Sequence, residues 1–245
     1  MKKLKKRTRK ILFTTEITFS VIVLLYIFIL FFPQFAFTNK FEYKNFTIHY
    51  QNQGISKEDI KSVLDKSIEL LSQSELFNSE FKQKIYVCNT YAQFFFFAPG
   101  SRTAFGTNYP LSQNIILTKS SFADNLIVRN GNDNNKRTLS GAIAHESTHS
   151  LLENKLGLVK YKLFPKWKNE GYCEFISKES SYNEEIGMEV ICNNINESSP
   201  SFQYFKYRLY ATYLFQEKKI TLNSFIHDDF DTDILYDEIK NTYCK

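Results

Sequence analysis

The sequence predicts an α+β domain carried on one membrane-spanning helix, and three observations support that prediction. A long apolar run stands near the N-terminus, directly behind a cluster of basic residues. After it, strand-like patterns come first and helix-like patterns later, rather than in strand–helix–strand alternation. The composition, 43% apolar and 16% aromatic, is ample for a packed core and argues against general disorder.

The basic cluster, MKKLKKRTRK at residues 1–10, holds seven of the 31 lysines and arginines. The remaining 235 residues carry 24 basic and 26 acidic side chains, a near-neutral balance that gives no support to nucleic-acid binding. Residues 11–37, ILFTTEITFSVIVLLYIFILFFPQFAF, contain no charge from Ile17 to Phe32. A run of about 20 apolar residues crosses a bilayer as a helix. Lys and Arg on the N-terminal side alone predict a cytoplasmic N-terminus, with residues 38–245 outside the cell membrane. The length of the run, its aromatic content and the lack of an A-x-A site favour a retained anchor over a cleaved signal peptide. Cys88, Cys173, Cys192 and Cys244 fit an extracytoplasmic domain. Their spacing matches neither a zinc ribbon nor a thioredoxin-like pair, so one or two disulfides are expected and three full pairings stay open.

Along the outer domain, FEYKNFTIHY (41–50) alternates and reads as a strand. Residues 55–77 place Ile60, Val63, Leu64, Ile68 and Leu71 at helical spacing behind Ser56, a good N-cap. KQKIYVCNT reads as a second strand. Residues 103–120 read as two strand segments around a turn at 108–112, and RNGNDNNKR (129–137) as a polar loop. A helix follows over 138–157, capped by Thr138 and ended by Gly157. Leu139, Ile143, Leu151 and Leu152 supply its apolar side. A short aromatic connector leads to a second helix from Pro165 through WKNEGYCEF. An aromatic-rich helix covers 198–219, and the C-terminal segment mixes short helical and loop patterns.

The chemistry sits in AHESTHSLL, residues 144–152. His145 and His149 are four apart and share one helix face. They can aim two imidazole nitrogens at one metal ion, and Glu146 lies on the flank of that face, placed to act as a general base. This is the H-E-x-x-H arrangement. A catalytic zinc site needs a third protein ligand. His49 and His227 have no supporting pattern around them, whereas Glu170, 21 residues after His149 on the next helix, completes a His2Glu set. Glu174, four residues further on, shares the face of Glu170 and can accept the second ring N–H of either histidine; its bland alternative is a surface glutamate.

AHESTH followed by WKNEGYCEF resembles the gluzincin metallopeptidases, the group that includes thermolysin and related aminopeptidases. The likeness is closest to the small "peptidase MA-like" members, in which a W-x-x-E-G segment supplies the glutamate ligand. It is specific over residues 139–176 and loose elsewhere. The resemblance implies a gluzincin-like fold, a mixed sheet packed on the H-E-x-x-H helix and the helices after it. It implies one zinc ion held by His145, His149 and Glu170, with Glu146 as base. It implies an oxyanion-binding tyrosine at the start of the aromatic helix, where Tyr204 corresponds and Tyr207 and Tyr210 are rivals. It also implies a substrate-binding sheet edge around Ala104, Phe105, Gly106 and Thr107. The amine-binding segment of the aminopeptidases has no counterpart here.

The expected function is therefore a membrane-anchored zinc peptidase that hydrolyses peptide bonds with metal-activated water. Its partners would be a peptide or protein substrate and the membrane, through residues 11–37. No nucleic acid, and no small-molecule cofactor beyond the metal, is expected. The alternative is a catalytically silent binding or sensor module on the same fold.

Overall fold

The computed structural model describes residues 2–51, 54–101, 103–129 and 132–244. Helix α1 (Lys2–Phe31) opens the chain, and its Phe13–Phe31 segment is long and apolar enough to cross a membrane, with none of it buried in the domain. A short 3-10 turn, Pro33–Ala36, leads into a hairpin of β1 (Asn39–Tyr43) and β2 (Phe46–Tyr50). The alternating segment 41–50 is thus two strands, not one. Lys44 adopts φ 50 at the turn, a left-handed conformation reached without the glycine that would announce it.

Helix α2 (Lys57–Leu71) starts at Ser56, whose hydroxyl accepts from the Glu58 and Asp59 amides. It ends earlier than the pattern over 55–77 suggests. Strand β3 (Gln83–Val87), helix α3 (Tyr91–Phe97), β4 (Gly106–Asn108) and β5 (Asn114–Leu117) follow. The mixed sheet runs β1-β2-β3-β5-β4, parallel at its centre and antiparallel at both edges, so β4 is a terminal strand.

A second sheet joins β6 (Ser120–Ser121), β7 (Leu126–Arg129) and β8 (Asn132–Thr138). The expected polar loop at 129–137 is therefore largely a strand; Asn130 and Gly131 lie outside the described residues. Its register sets Ile127 opposite Arg137. Cross-strand pairing overrides a composition that carries no apolar alternation.

Helix α4 (Leu139–Leu156) is the centre of the domain. Thr138 Oγ1 accepts from the Gly141 amide, and Gly157 ends the helix at φ 75, as the capping residues predict. Its expected single apolar side is a correction: every residue from Leu139 to Glu153 is buried. Around it lie α2, β4 and α6 (Lys166–Ser177). The connector 158–164 is the short helix α5 (Leu158–Leu163). Helices α7 (Glu184–Cys192), α8 (Pro200–Thr212, continued by a π turn over Tyr213–Glu217), α9 (Leu222–His227) and α10 (Thr232–Tyr243) complete the chain. Cys192 and Cys244 form a disulfide that links the end of α7 to the C-terminal end of α10. Cys88 and Cys173 are free, buried thiols.

The main core joins one sheet face to α2, α4, α6 and the later helices. A smaller cluster on the other side holds Phe37, Tyr86, Cys88, Phe94, Phe97, Ala98 and Ile116, with Leu30 of α1 packed against it.

Candidate metal centre and cleft

A helix buried on all sides normally carries apolar residues, yet α4 buries Ser140, His145, Glu146, Ser147, Thr148, His149, Ser150 and Glu153. Buried polar groups require partners, and most of these have one outside the helix. The Ser140 amide donates to Asn125 Oδ1, Ser150 Oγ donates to Gln83 Oε1, and Glu153 accepts from the Leu111 amide. The histidine pair is tied instead to α6.

Both histidines turn Nε2 toward Glu170. His145 Nε2 lies 3.4 Å and His149 Nε2 3.6 Å from the same oxygen, Glu170 Oε2. Ligands at about 2.0–2.1 Å from a tetrahedral ion stand about 3.3 Å from one another, close to both of these distances to Glu170 Oε2. The expected set His145, His149 and Glu170 is brought together.

The opposite ring nitrogens meet different groups. Glu174 Oε1 is 3.2 Å from His145 Nδ1, at ion-pair distance though off the hydrogen-bond direction. Glu174 is itself clamped by Arg137 at 2.8 and 3.4 Å, and both side chains are almost fully buried. The surface reading of Glu174 is therefore excluded. His149 Nδ1 faces Asn169 Oδ1 at 3.0 Å, the Tyr161 hydroxyl at 3.2 Å and Cys173 Sγ at 3.3 Å. At His149 the acceptor Asn169 Oδ1 suits a ring proton on Nδ1, the tautomer that leaves the Nε2 lone pair free.

His145, His149 and Cys173 form another potential donor set, with one ligand atom from each residue within 4.8 Å of the others. Cys173 approaches His149 on its Nδ1 side, opposite the nitrogen that faces Glu170, so one ion cannot use both arrangements. Burial, and then the charges of Glu170, Glu146 and Glu174, push the Cys173 thiol well above its ordinary pKa. Glu170 is the group that both Nε2 atoms face, whereas Cys173 Sγ lies 3.3 Å from His149 Nδ1.

The electrostatics match a cation site. Burial alone would lower the pKa of His145, but Glu170 and Glu174 outweigh it and lift the group to about 10. Burial would raise Glu170, yet His149 and His145 hold it at about 2. Burial dominates at Glu146 and pushes its carboxyl up. Glu146, Glu170 and Glu174 thus crowd one pocket in which Arg137 is the fixed cation against Glu174. Glu170 is held down by the two imidazoles and, less strongly, by Lys166.

These groups open into a cleft of about 520 Å³. One wall is the sheet edge with Ala104, Phe105, Gly106 and Thr107; the other includes Tyr161, Asn169 and Tyr204. A Cβ at Gly106 would lie 3.2 Å from Glu146 Cγ and 2.6 Å from Leu117 Cδ2, so the glycine lets β4 close onto the glutamate. Asn108 fastens β4 to α4 by donating to Glu146 O at 2.9 Å and Ser150 Oγ at 2.6 Å. On α6, a Cβ at Gly171 would lie 2.5 Å from Tyr207 O. The residue after Glu170 must therefore be small for α8 to cross there, and this crossing carries Tyr204 to the cleft. Tyr210 packs on Trp167 in the core, and neither it nor Tyr207 lines the cleft.

His49 stacks on Tyr86 in the sheet, and neither it nor His227 lines the cleft. The sequence reading missed Arg137, Tyr161, Asn169 and the placement of Cys173. Asn169 had one available signal, its position beside Glu170. The chain matches no protein-family model and no curated protein.

Proposed function

We propose that this chain is a membrane-anchored zinc peptidase, with a cytoplasmic N-terminus, the α1 anchor, and a gluzincin-like domain outside. The observation that carries this reading is that His145 Nε2 and His149 Nε2 both face Glu170 Oε2, at 3.4 and 3.6 Å, with Glu146 in the same open cleft. The donor set fits the ion: two neutral imidazole nitrogens and a carboxylate oxygen form one of the catalytic zinc sets. Two histidines and one carboxylate also serve iron(II), but a buried glutamate base next to the ligands favours hydrolytic chemistry and hence zinc. When bound, zinc supplies Lewis acidity, polarising a carbonyl and acidifying water.

The remaining work falls to this chain's side chains. Glu146 takes the proton from the attacking water and returns it to the leaving amine, a role that its burial-raised pKa suits. Glu174 and Asn169 fix the two imidazoles from behind. The Tyr204 hydroxyl, held protonated by burial and by the Glu170 and Glu146 charges, donates to the developing oxyanion. As the terminal strand of its sheet, β4 together with the two residues before it offers Ala104 to Thr107 as a main-chain rail for an extended peptide.

The test uses the detergent-solubilised full chain and its Glu146→Gln form, each assayed for zinc content and for hydrolysis of a broad peptide library. Both should hold about one zinc per chain, and hydrolysis should fall at least about 100-fold in the variant. Equal zinc with no cleavage by either form would favour a silent sensor. Equal cleavage by both would remove Glu146 from the mechanism.

A further inference from the structure

Helix α3 has the sequence YAQFFFF, and its Phe94 and Phe97 pack inward on the sheet. Phe96 points away from the core and is 46% exposed. Phe28 and Phe32, at the end of α1, and Phe35 in the turn after it are also exposed, Phe35 at 80%. An apolar surface of this kind requires a partner, and the contacts of α3 with α1 identify one.

The Tyr26 hydroxyl donates to Phe96 O at 2.7 Å, and the two rings meet edge-on at 5.3 Å. Tyr26 lies five residues before Phe31, the last residue of the apolar span. At 1.5 Å per residue that is about 8 Å below the outer end of the span. The span of 19 residues is about 28 Å long, close to the roughly 30 Å of a hydrocarbon core. Starting the span after Glu16 instead moves its outer end toward Ala36, which sets Phe96 deeper and brings Phe35 inside as well.

The backbone of α3 is prepared for such a place. Carbonyls at a helix C-terminus lack partners within the helix, and unsatisfied ones are costly in lipid. Phe94 O accepts from the Ala98 amide at 2.7 Å, Phe96 O from Tyr26, and Phe97 O from the Tyr109 hydroxyl at 2.5 Å.

We infer that α3, together with Phe35, is immersed in the outer leaflet of the bilayer that α1 crosses, so that the domain is docked on the membrane rather than tethered above it. The inference rests on the anchor part of the proposed function and is independent of the peptidase chemistry. The bond from Tyr109 to Phe97 O then ties the β4 side of the cleft to the membrane surface.

The experiment places single tryptophans in the full chain, reconstituted into phosphatidylcholine vesicles that contain acyl-brominated lipid. Trp167, the one native tryptophan, is replaced by Phe. Phe96→Trp reports on α3, Leu24→Trp on the span, and Ile234→Trp on a solvent-exposed apolar site of α10. The expected result is that bromolipid quenches Phe96→Trp and Leu24→Trp at least about twofold and leaves Ile234→Trp unchanged. Quenching of Leu24→Trp alone would overturn the docking while leaving the anchor intact. A blue-shifted but unquenched Phe96→Trp would mean that a protein surface, such as a second copy, covers α3. An unquenched Leu24→Trp would overturn both the anchor and the docking. Because Phe96 is exposed, its exchange for another aromatic preserves the fold; the Phe35→Trp variant provides an independent reading of the same patch.

Discussion

Two buried imidazoles in this molecule have opposite fates. His49 in β2 lies in the sheet against Tyr86, and burial, with Lys40 and Lys84 nearby, pushes its pKa down to about 4. His145 in α4 is as deeply buried, yet Glu170 and Glu174 lift it to about 10. Burial therefore does not decide the outcome; the carboxylates do. The sheet region accommodates a neutral ring by stacking. The α4–α6 region gathers negative charge around two rings, as the proposed cation site requires. The same contrast separates two glutamates one turn apart on α6. Glu174 is neutralised by Arg137 and supports a ring, whereas Glu170 faces both Nε2 atoms.

The largest expected effect breaks the cation side of the comparison. Glu170→Gln should lower zinc affinity by more than about 1,000-fold in a chelator-competition titration, because it removes a charged ligand and not a supporting contact. Unchanged affinity would transfer the third ligand to another group. Glu174→Gln acts one shell further out and should weaken zinc about 10- to 100-fold. It should also lower the denaturation midpoint, since Arg137 is left as a buried charge with one partner fewer.

The sheet side is tested by pH. The folded-state pKa of His49 lies below its ordinary 6.5, so unfolding takes up a proton. Its contribution to stability is complete above pH 6.5, declines as the pH falls from there to about 4, and changes no further below. The loss should be about 3 kcal/mol at most. In urea titrations across that window, His49→Gln should flatten the slope, and an unaltered slope would place the titration elsewhere. The smallest effect is expected at Cys173. Cys173→Ala should change zinc affinity by less than about threefold, since the thiol packs behind His149 as a small apolar group.

The parts of this arrangement that were legible in the sequence are those fixed by local chemistry. Thr138 and Gly157 bracket α4, the spacing of His145 and His149 defines a face, and Glu170 and Glu174 share the next one. The missed parts depend on tertiary pairing. Lys44 turns the first hairpin without a glycine signal, and the polar run containing Arg137 becomes β8 only because β7 pairs with it. Arg137 was hidden inside an apparent loop, so the clamp on Glu174 could not be foreseen. Tyr161 lies on a short helix that read as a connector. Helix α3 carries aromatic residues in succession, a pattern with no amphipathic period to announce it.

The most direct test of the metal centre is X-ray absorption at the zinc edge on the zinc-loaded full chain. The account predicts one zinc with nitrogen and oxygen neighbours only, at about 2.0–2.2 Å, and loss of the bound ion in Glu170→Gln. A sulfur neighbour at about 2.3 Å would assign the site to His145, His149 and Cys173 and contradict the role given to Glu170.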